Sequence, residues 1–237
     1  MTGSRESGAP GERDSAGELP VEILPDPAAV AHRAAELVHQ HALLAVAQRG
    51  EFTFAVSGGR SPWTMFGDLA GEDFPWAQTK IYQVDERIAP AGDPDRNLTL
   101  LQESLGPVAA ADLRPMPVND SDLDAAAEEY ARSLPERFDL VHLGLGPDGH
   151  TASLVPRDPV LEVRDRDVAL TGPYMGLRRM TLTYPVLERA HSLLWLVTGS
   201  EKVDALRRLR AHDASIPGGR VPAENALVLA DVAAAGA

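Results

Sequence analysis

Apolar positions along the chain alternate between two spacings, and the alternation continues almost to the C-terminus. Short, nearly continuous apolar runs predict buried strands, whereas apolar residues three or four positions apart predict helices. Strands are predicted over residues 21–24, 52–57, 80–86, 113–118, 138–146, 192–199 and 226–231. Helices are predicted between them, over residues 27–49, 61–70, 98–105, 121–134 and 200–210. Strands that alternate with helices in this way predict an α/β fold with a mostly parallel sheet.

Several predicted elements end at recognisable residues. Asp26 precedes the first helix and Gly50 follows it, which fits an acidic N-cap and a glycine stop. Ser61 and Ser121 are the predicted N-caps of the second and fourth helices. Two prolines within residues 113–118 place that strand at the edge of the sheet, because proline cannot donate to a central ladder.

The N-terminal segment differs in composition from the rest of the chain. Residues 1–19 are rich in Gly, Ser, Pro, Glu and Arg and contain hardly any large apolar side chain. Such a segment cannot offset its ordering entropy by burial, so we expect a disordered tail. No linker is visible inside residues 20–237, and a domain averages roughly 150 residues. We therefore expect residues 20–237 to form a single domain.

Composition excludes several functional classes. The chain has 22 Lys plus Arg against 35 Asp plus Glu, a net charge of −13, which argues against nucleic acid as a partner. No apolar run approaches the roughly 18 residues needed to span a bilayer, and the N-terminal segment has no apolar signal-peptide core. There are no cysteines, so disulfides, thiolate zinc sites and a Cys nucleophile are excluded. These properties favour a cytoplasmic protein without a membrane partner.

Ligands bind at the carboxyl ends of parallel strands in such folds, and four predicted strand ends have unusual residues. At the first, Ser57, Gly58, Gly59 and Arg60 lead directly into a helix. Two glycines allow the backbone to approach a ligand, and the free amides of a helix N-terminus attract anions such as a phosphate. A tight strand-to-helix turn without a ligand fits these residues equally well.

The second strand end, GLGPDGHTASLVP over residues 144–156, contains three glycines spaced as G-x-G-x-x-G. A dinucleotide site is excluded, because Pro156 ends the segment too early for the required helix and Asp148 would repel a pyrophosphate. His150 lies on this glycine-flanked loop near Asp148, and it is the candidate general base. The other histidines are interpreted as structural: His32, His39, His41, His142, His191 and His212.

The remaining two strand ends carry charged residues. Asp85 and Arg87 fall in QVDERIAP over residues 83–90, where they form either a functional group or a solvated charge cluster. Lys202 falls in the first turn of the helix after Gly199, where a cation opposes the helix dipole. A nearby anion would resolve this conflict, although an exposed lysine can also point to water.

These segments, in this order, resemble the 6-phosphogluconolactonase family, and the most specific match is DGHTASLVP over residues 148–156. The resemblance covers nearly all of residues 20–231 and includes RRMTLTYPVLERA over residues 178–190. It implies a Rossmann-like, three-layer α/β domain of the glucosamine/galactosamine-6-phosphate isomerase superfamily. It also implies hydrolysis of 6-phosphoglucono-δ-lactone to 6-phosphogluconate, in the oxidative pentose phosphate pathway, without a metal or cofactor. The expected partner is a small phosphorylated sugar lactone, bound by a monomer or a weak dimer.

The resemblance also assigns roles to individual residues. It makes His150 the general base and Asp85 and Arg87 a catalytic acidic and basic pair. It further places Arg87 and Lys202 against the substrate phosphate. Substrate-binding positions are expected at Ser57, Gly58, Gly59, Arg60, Asn97, Asp148 and Arg179, of which Arg60 stands where the family often has Ser or Thr.

Three alternative functions fit parts of the pattern. A glucosamine-6-phosphate deaminase has a similar fold, but it typically shows DEY where this chain has Asp85-Glu86-Arg87 and GHIAFNEP where this chain begins GHTASL at residue 149. A non-enzymatic sugar-phosphate sensor would lack His150 or add an output module, and neither is seen in the sequence. A structural domain with chance motifs would have to explain four matching strand ends at once.

Overall fold

The computed structural model describes residues 19–71, 73–106 and 111–237. The predicted N-terminal tail lies outside these residues, with the exception of Leu19. Leu19 is 3% exposed and packs into the hydrophobic core.

The described part of the chain contains ten strands and seven α-helices. The strands are β1 Val21–Leu24, β2 Phe52–Val56, β3 Thr79–Gln83, β4 Asp85–Arg87, β5 Asp112–Arg114, β6 Leu140–Gly144, β7 Val168–Leu170, β8 Arg179–Leu182, β9 Leu193–Val197 and β10 Ala226–Asp231. The helices are α1 Pro27–Arg49, α2 Arg60–Ala70, α3 Asn97–Leu105, α4 Leu123–Ser133, α5 Tyr184–Glu188, α6 Val203–Arg210 and α7 Val232–Ala235. None of the helices described here combines the length and apolarity needed to cross a bilayer.

Seven of these strands form one parallel sheet in the order β1-β10-β9-β6-β2-β3-β5. Apolar side chains of α1, α2 and α3 pack on one face of the sheet, and those of α4, α5, α6 and α7 pack on the other. The central strands β2, β6 and β9 are therefore covered on both sides, which explains their almost uninterrupted apolar runs. The predicted three-layer α/β fold with a mostly parallel sheet is confirmed.

The predicted strand over residues 80–86 is wrong, because the structure divides it into two strands in different sheets. β3 ends at Gln83, and β4 pairs antiparallel with β8 in a three-stranded sheet of order β4-β8-β7. The change occurs at Val84, whose N–H donates to Val56 of the main sheet and whose carbonyl accepts from Leu182 of the small sheet. This crossover carries Asp85 and Arg87 away from the main sheet and places Arg87 beside Arg179.

Two predicted N-caps are also wrong. Ser61 lies inside α2, which begins at Arg60 after Gly59, and its Oγ is 3.2 Å from Oγ1 of Thr198. At α4 the cap is Asp122 rather than Ser121, because the Asp122 carboxylate accepts the N–H of Ala125.

The ends of the first helix, the edge strand and the start of the last predicted helix can each be compared with the sequence prediction. Asp26 caps α1 by accepting the N–H of Ala29 at 2.8 Å, and Gly50 ends α1 in the left-handed conformation, as predicted. The predicted edge strand is confirmed only at its start, because β5 ends at Arg114 and the prolines that follow cannot donate to a ladder. The last predicted helix begins with a 3-10 turn over Ser200–Lys202 before α6 starts.

A buried carboxylate connects β4 to α3. Glu86 is fully buried, and its two carboxylate oxygens accept the backbone N–H groups of Asn97 and Leu98 at 2.8 Å. The same carboxylate accepts Nε2 of Gln83 at 2.9 Å and lies 3.4 Å from Nε of Arg96. Because the first amides of a helix have no partner within the helix, Glu86 fixes the N-terminus of α3 and with it the position of Asn97.

Replacing Glu86 with Gln is expected to lower the free energy of unfolding by about 2–4 kcal/mol, because an amide NH₂ would face one of the helix N–H donors and the Arg96 guanidinium would lose its buried counter-charge. Urea denaturation measures the change. Glu103→Gln, an exposed change on the same helix, should shift the value by no more than about 0.5 kcal/mol. Equal stability of the two variants would contradict the role of Glu86.

Candidate active site

A cavity of about 800 Å³ opens at the carboxyl ends of the central strands. The sequence-predicted site residues that line it are Ser57, Gly58, Gly59, Asp85, Arg87, Asn97, His150, Arg179 and Lys202. Asp148 lies against His150, and the side chain of Arg60 falls outside the described part of the structure. The parallel sheet thus brings together residues that are up to 145 positions apart, from Ser57 to Lys202.

His150 is held in a fixed orientation by its own loop. The N–H of Gly146 donates to the carbonyl of His150 at 2.8 Å, and the N–H of Gly149 donates to the carbonyl of Gly146 at 2.9 Å. In this closed turn, Nδ1 of His150 lies 2.6 Å from Oδ1 of Asp148. The loop therefore brings the predicted base and its carboxylate neighbour into direct contact.

Asp148 is ionised at neutral pH. Burial raises the pKa of Asp148, but the hydrogen bond and charge of His150, with help from the hydroxyl of Tyr174, together hold that pKa well below its usual range. An ionised carboxylate can only accept, so Nδ1 of His150 carries the proton and donates it to Asp148. In the neutral form of the ring the lone pair is then on Nε2, which is the arrangement of a histidine oriented to act as a base.

Tyr174 is part of the site and was missed from the sequence. It precedes a two-residue turn, Met175-Gly176, in which both residues have positive φ and which pairs Tyr174 with Leu177. The hydroxyl of Tyr174 donates to Oδ2 of Asp148 at 3.1 Å, and its ring lies 5.4 Å from the His150 ring. A glycine in a short turn is a hairpin signal, but only the fold shows that this hairpin reaches Asp148.

Three cationic side chains line the cavity. Arg87 and Arg179 are paired across β4 and β8, and the Nε atoms of both are buried without a hydrogen-bond partner among the described residues. The guanidinium of Arg179 also lies 4.9 Å from the centre of the Tyr174 ring. Burial lowers the pKa of Arg179 and of Lys202, against the opposing effects of Asp85 and Glu201 respectively. Partly desolvated cations facing one cavity favour an anionic ligand.

The glycine loop adds backbone donors to this site. Gly59 has a φ of +139° and leads directly into α2, so the free amides at the start of that helix face the cavity. At Gly58, a Cβ would lie 1.9 Å from Oδ1 of Asn97. Only glycine fits at position 58, which allows the loop and the N-terminus of α3 to lie against each other.

Asp85 lies in the wall of the cavity and is held by neighbouring side chains. Its Oδ2 accepts the hydroxyl of Ser153 at 2.6 Å, and its Oδ1 lies 3.3 Å from Nδ2 of Asn97. The same Asn97 accepts from the guanidinium of Arg87 at 2.6 Å. Asp85 therefore belongs to a network that orders Asn97 and Arg87, and Ser153 is a member of it that the sequence pattern does not mark.

His142, which the sequence predicts to be structural, also lines the cavity. Its Nδ1 accepts the backbone N–H of Ser57 at 3.2 Å. Its position within an apolar strand hid this contact, because the strand pattern does not show which residue lies beside it in the next strand.

Within residues 19–71, 73–106 and 111–237, no three His, Asp or Glu side chains are arranged to hold a metal ion.

Comparison with known proteins shows the family to which the chain belongs. Residues 25–229 match the family described as glucosamine-6-phosphate isomerases/6-phosphogluconolactonase. The chain is 34% identical to the 6-phosphogluconolactonase of Synechocystis over 82% of its length and 86% of that protein, and 32% identical to that of Nostoc over 92% and 97%. A crystal structure of a 6-phosphogluconolactonase from Shewanella baltica superposes with a TM-score of 0.84 at 26% identity, covering 92% of this chain and 99% of that one. The chain therefore belongs to the family of glucosamine-6-phosphate isomerases and 6-phosphogluconolactonases.

Proposed function

We propose that this protein is a hydrolase that converts 6-phosphoglucono-δ-lactone to 6-phosphogluconate in the pentose phosphate pathway. One observation carries the proposal: a histidine oriented by Asp148 shares a cavity with Arg87, Arg179 and Lys202. A base and an anion site in one cavity suit a substrate that has an electrophilic carbonyl at one end and a phosphate at the other. Relatives named 6-phosphogluconolactonase support the same substrate.

The reaction begins with a water molecule between His150 and the lactone carbonyl. Nε2 of His150 takes a proton from this water as the water oxygen bonds to C1, and the carbonyl oxygen becomes an oxyanion. The bond between C1 and the ring oxygen then breaks, and the ring oxygen receives the proton from His150. The products are a carboxylic acid, which ionises, and a free hydroxyl group. General-base catalysis of this kind contributes about 10²–10⁴ in rate.

We assign the three cationic side chains to the two ends of the substrate. Arg179 lies over the Tyr174 ring, which also contacts His150, so we assign Arg179 to the oxyanion at the reacting carbon. Arg87, Lys202 and the amides of the glycine loop bind the phosphate. Because the phosphate is remote from C1, its binding energy orients the ring for attack.

Wild-type protein added to freshly generated 6-phosphoglucono-δ-lactone should accelerate its decay above the spontaneous background. The decay is followed by proton release or by loss of the lactone signal in NMR spectra. No acceleration would overturn the proposal, and glucosamine 6-phosphate would then be the next substrate to test, since the family also contains isomerases of that compound.

Tyr174→Phe is expected to lower kcat by about tenfold while leaving KM nearly unchanged, because a hydrogen bond to a charged group contributes about 1.5–3 kcal/mol and Asp148 would lose one. Tyr82→Phe is the matched control, since the Tyr82 hydroxyl donates to Ser133 on another part of the protein. Steady-state kinetics of both variants give the comparison. Equal kcat values for Tyr174→Phe and wild type would show that the hydroxyl does not orient the dyad formed by His150 and Asp148.

A further inference from the structure

The cavity opens where two central strands separate. β2 and β6 are in register at Phe54 with Leu140 and at Ala55 with Val141, and the pairing ends there. The carbonyl of Val56 is used on the other side of β2, where it accepts the N–H of Val84. The N–H of the next residue, Ser57, therefore points toward β6 beyond the end of the ladder and needs another acceptor.

His142 supplies that acceptor. Its Nδ1 lies 3.2 Å from the backbone nitrogen of Ser57, and the side chain is 1% exposed. An imidazole can accept at Nδ1 only when that atom has no proton, so the ring is neutral with its hydrogen on Nε2. Burial lowers the pKa of His142 to about 3, which keeps the ring neutral at neutral pH.

If packing were the only role of position 142, an apolar residue would suit it better than histidine. On the same face of the sheet lie Leu140 of β6 and Leu194 and Leu196 of β9, and a leucine would extend this apolar surface. The Nε2 atom of His142 is buried without a hydrogen-bond partner among the described residues, and an unsatisfied buried donor destabilises the fold. The contact with Ser57 is the feature that offsets this cost.

We infer that His142 is a positioning residue that determines specificity for phosphorylated over unphosphorylated lactones. By holding the Ser57 amide toward β6, it fixes the direction in which the chain continues, so that the amides of Gly58 and Gly59 face the phosphate. The inference rests on the proposed function, because it takes the substrate phosphate as the ligand of this loop. His142 does not contact the reacting carbon, and its effect is confined to the phosphate end.

Three variants of His142 test the inference. In His142→Asn the side-chain oxygen takes the place of Nδ1, whereas in His142→Gln the amide reaches the place of Nε2 and in His142→Leu no acceptor remains. The Leu and Gln variants should raise KM for 6-phosphoglucono-δ-lactone by about tenfold or more, with kcat within about twofold of wild type. The Asn variant should restore KM to within about threefold of wild type. With unphosphorylated glucono-δ-lactone, kcat/KM should be the same for all four proteins.

Direct binding of inorganic phosphate, measured by amide NMR shifts of Ser57 and Gly58, separates this inference from the proposed function. Weaker phosphate binding in the Gln variant than in the Asn variant supports a positioning role even if wild type hydrolyses no lactone. Equal phosphate binding and equal KM in the Asn and Gln variants would overturn the inference, and so would an equal loss of kcat/KM with both lactones. If the Leu variant does not fold, the comparison of Asn with Gln decides.

Discussion

Replacing His150 with Gln is expected to lower kcat for lactone hydrolysis by about 10²–10⁴-fold, with little change in stability. Glutamine is similar in size and its amide reaches the place of Nε2, but that amide cannot accept a proton from water. The Asp148 carboxylate, 2.6 Å from Nδ1 of His150, would lose the imidazole that it orients. The rate of decay of fresh lactone, corrected for the spontaneous reaction, measures the loss.

His191→Gln is the matched control. His191 is exposed and precedes β9, whereas the cavity lies at the opposite, carboxyl end of that strand. The control should therefore hydrolyse the lactone at the wild-type rate. If His150→Gln also kept nearly full activity, the hydrolysis would stand but the base would be another group, and Asp85 would be the next carboxylate to replace.

The residues at the strand ends could be predicted from the sequence because they follow from two local patterns. Apolar runs mark the buried parallel strands, and the carboxyl ends of such strands meet at one edge of the sheet. Ser57, Asp85, His150 and Lys202 each follow or end a predicted strand, and all four line the cavity. Neither the order of the strands nor any contact distance was needed for that prediction.

The partners of these residues could not be predicted, because they come from elements that are neighbours only in the folded chain. Tyr174 reaches Asp148 from a hairpin that the apolar pattern does not mark, and Ser153 reaches Asp85 across 68 positions. The sheet change at Val84 was hidden by an apolar run that continues through two strands. His142 looked like any residue of a buried strand until the separation of β2 from β6 showed what its Nδ1 accepts.

Gly146→Ala is expected to reduce activity by about 10²-fold or more, since a 1 Å displacement of a catalytic group can cost that much. A Cβ at this position would lie 2.0 Å from Nδ1 of His150 and 2.7 Å from Oδ1 of Asp148, so both members of the dyad must move. The substitution adds one methyl group and removes no functional atom. Steady-state kinetics measure the loss, and circular dichroism shows whether the fold is retained.

Gly67→Ala is the matched control, because it adds the same methyl group at a position where that group contacts nothing. A Cβ at position 67 meets nothing within 4 Å, and alanine favours the helix at that site, so the control should keep full activity and equal or higher stability. The double variant Gly146→Ala/His150→Gln should be hardly less active than His150→Gln alone, because a displaced dyad and a missing base disable the same step. Fully additive losses would contradict this account. They would mean that the added methyl group acts on the substrate directly and not by displacing His150 and Asp148.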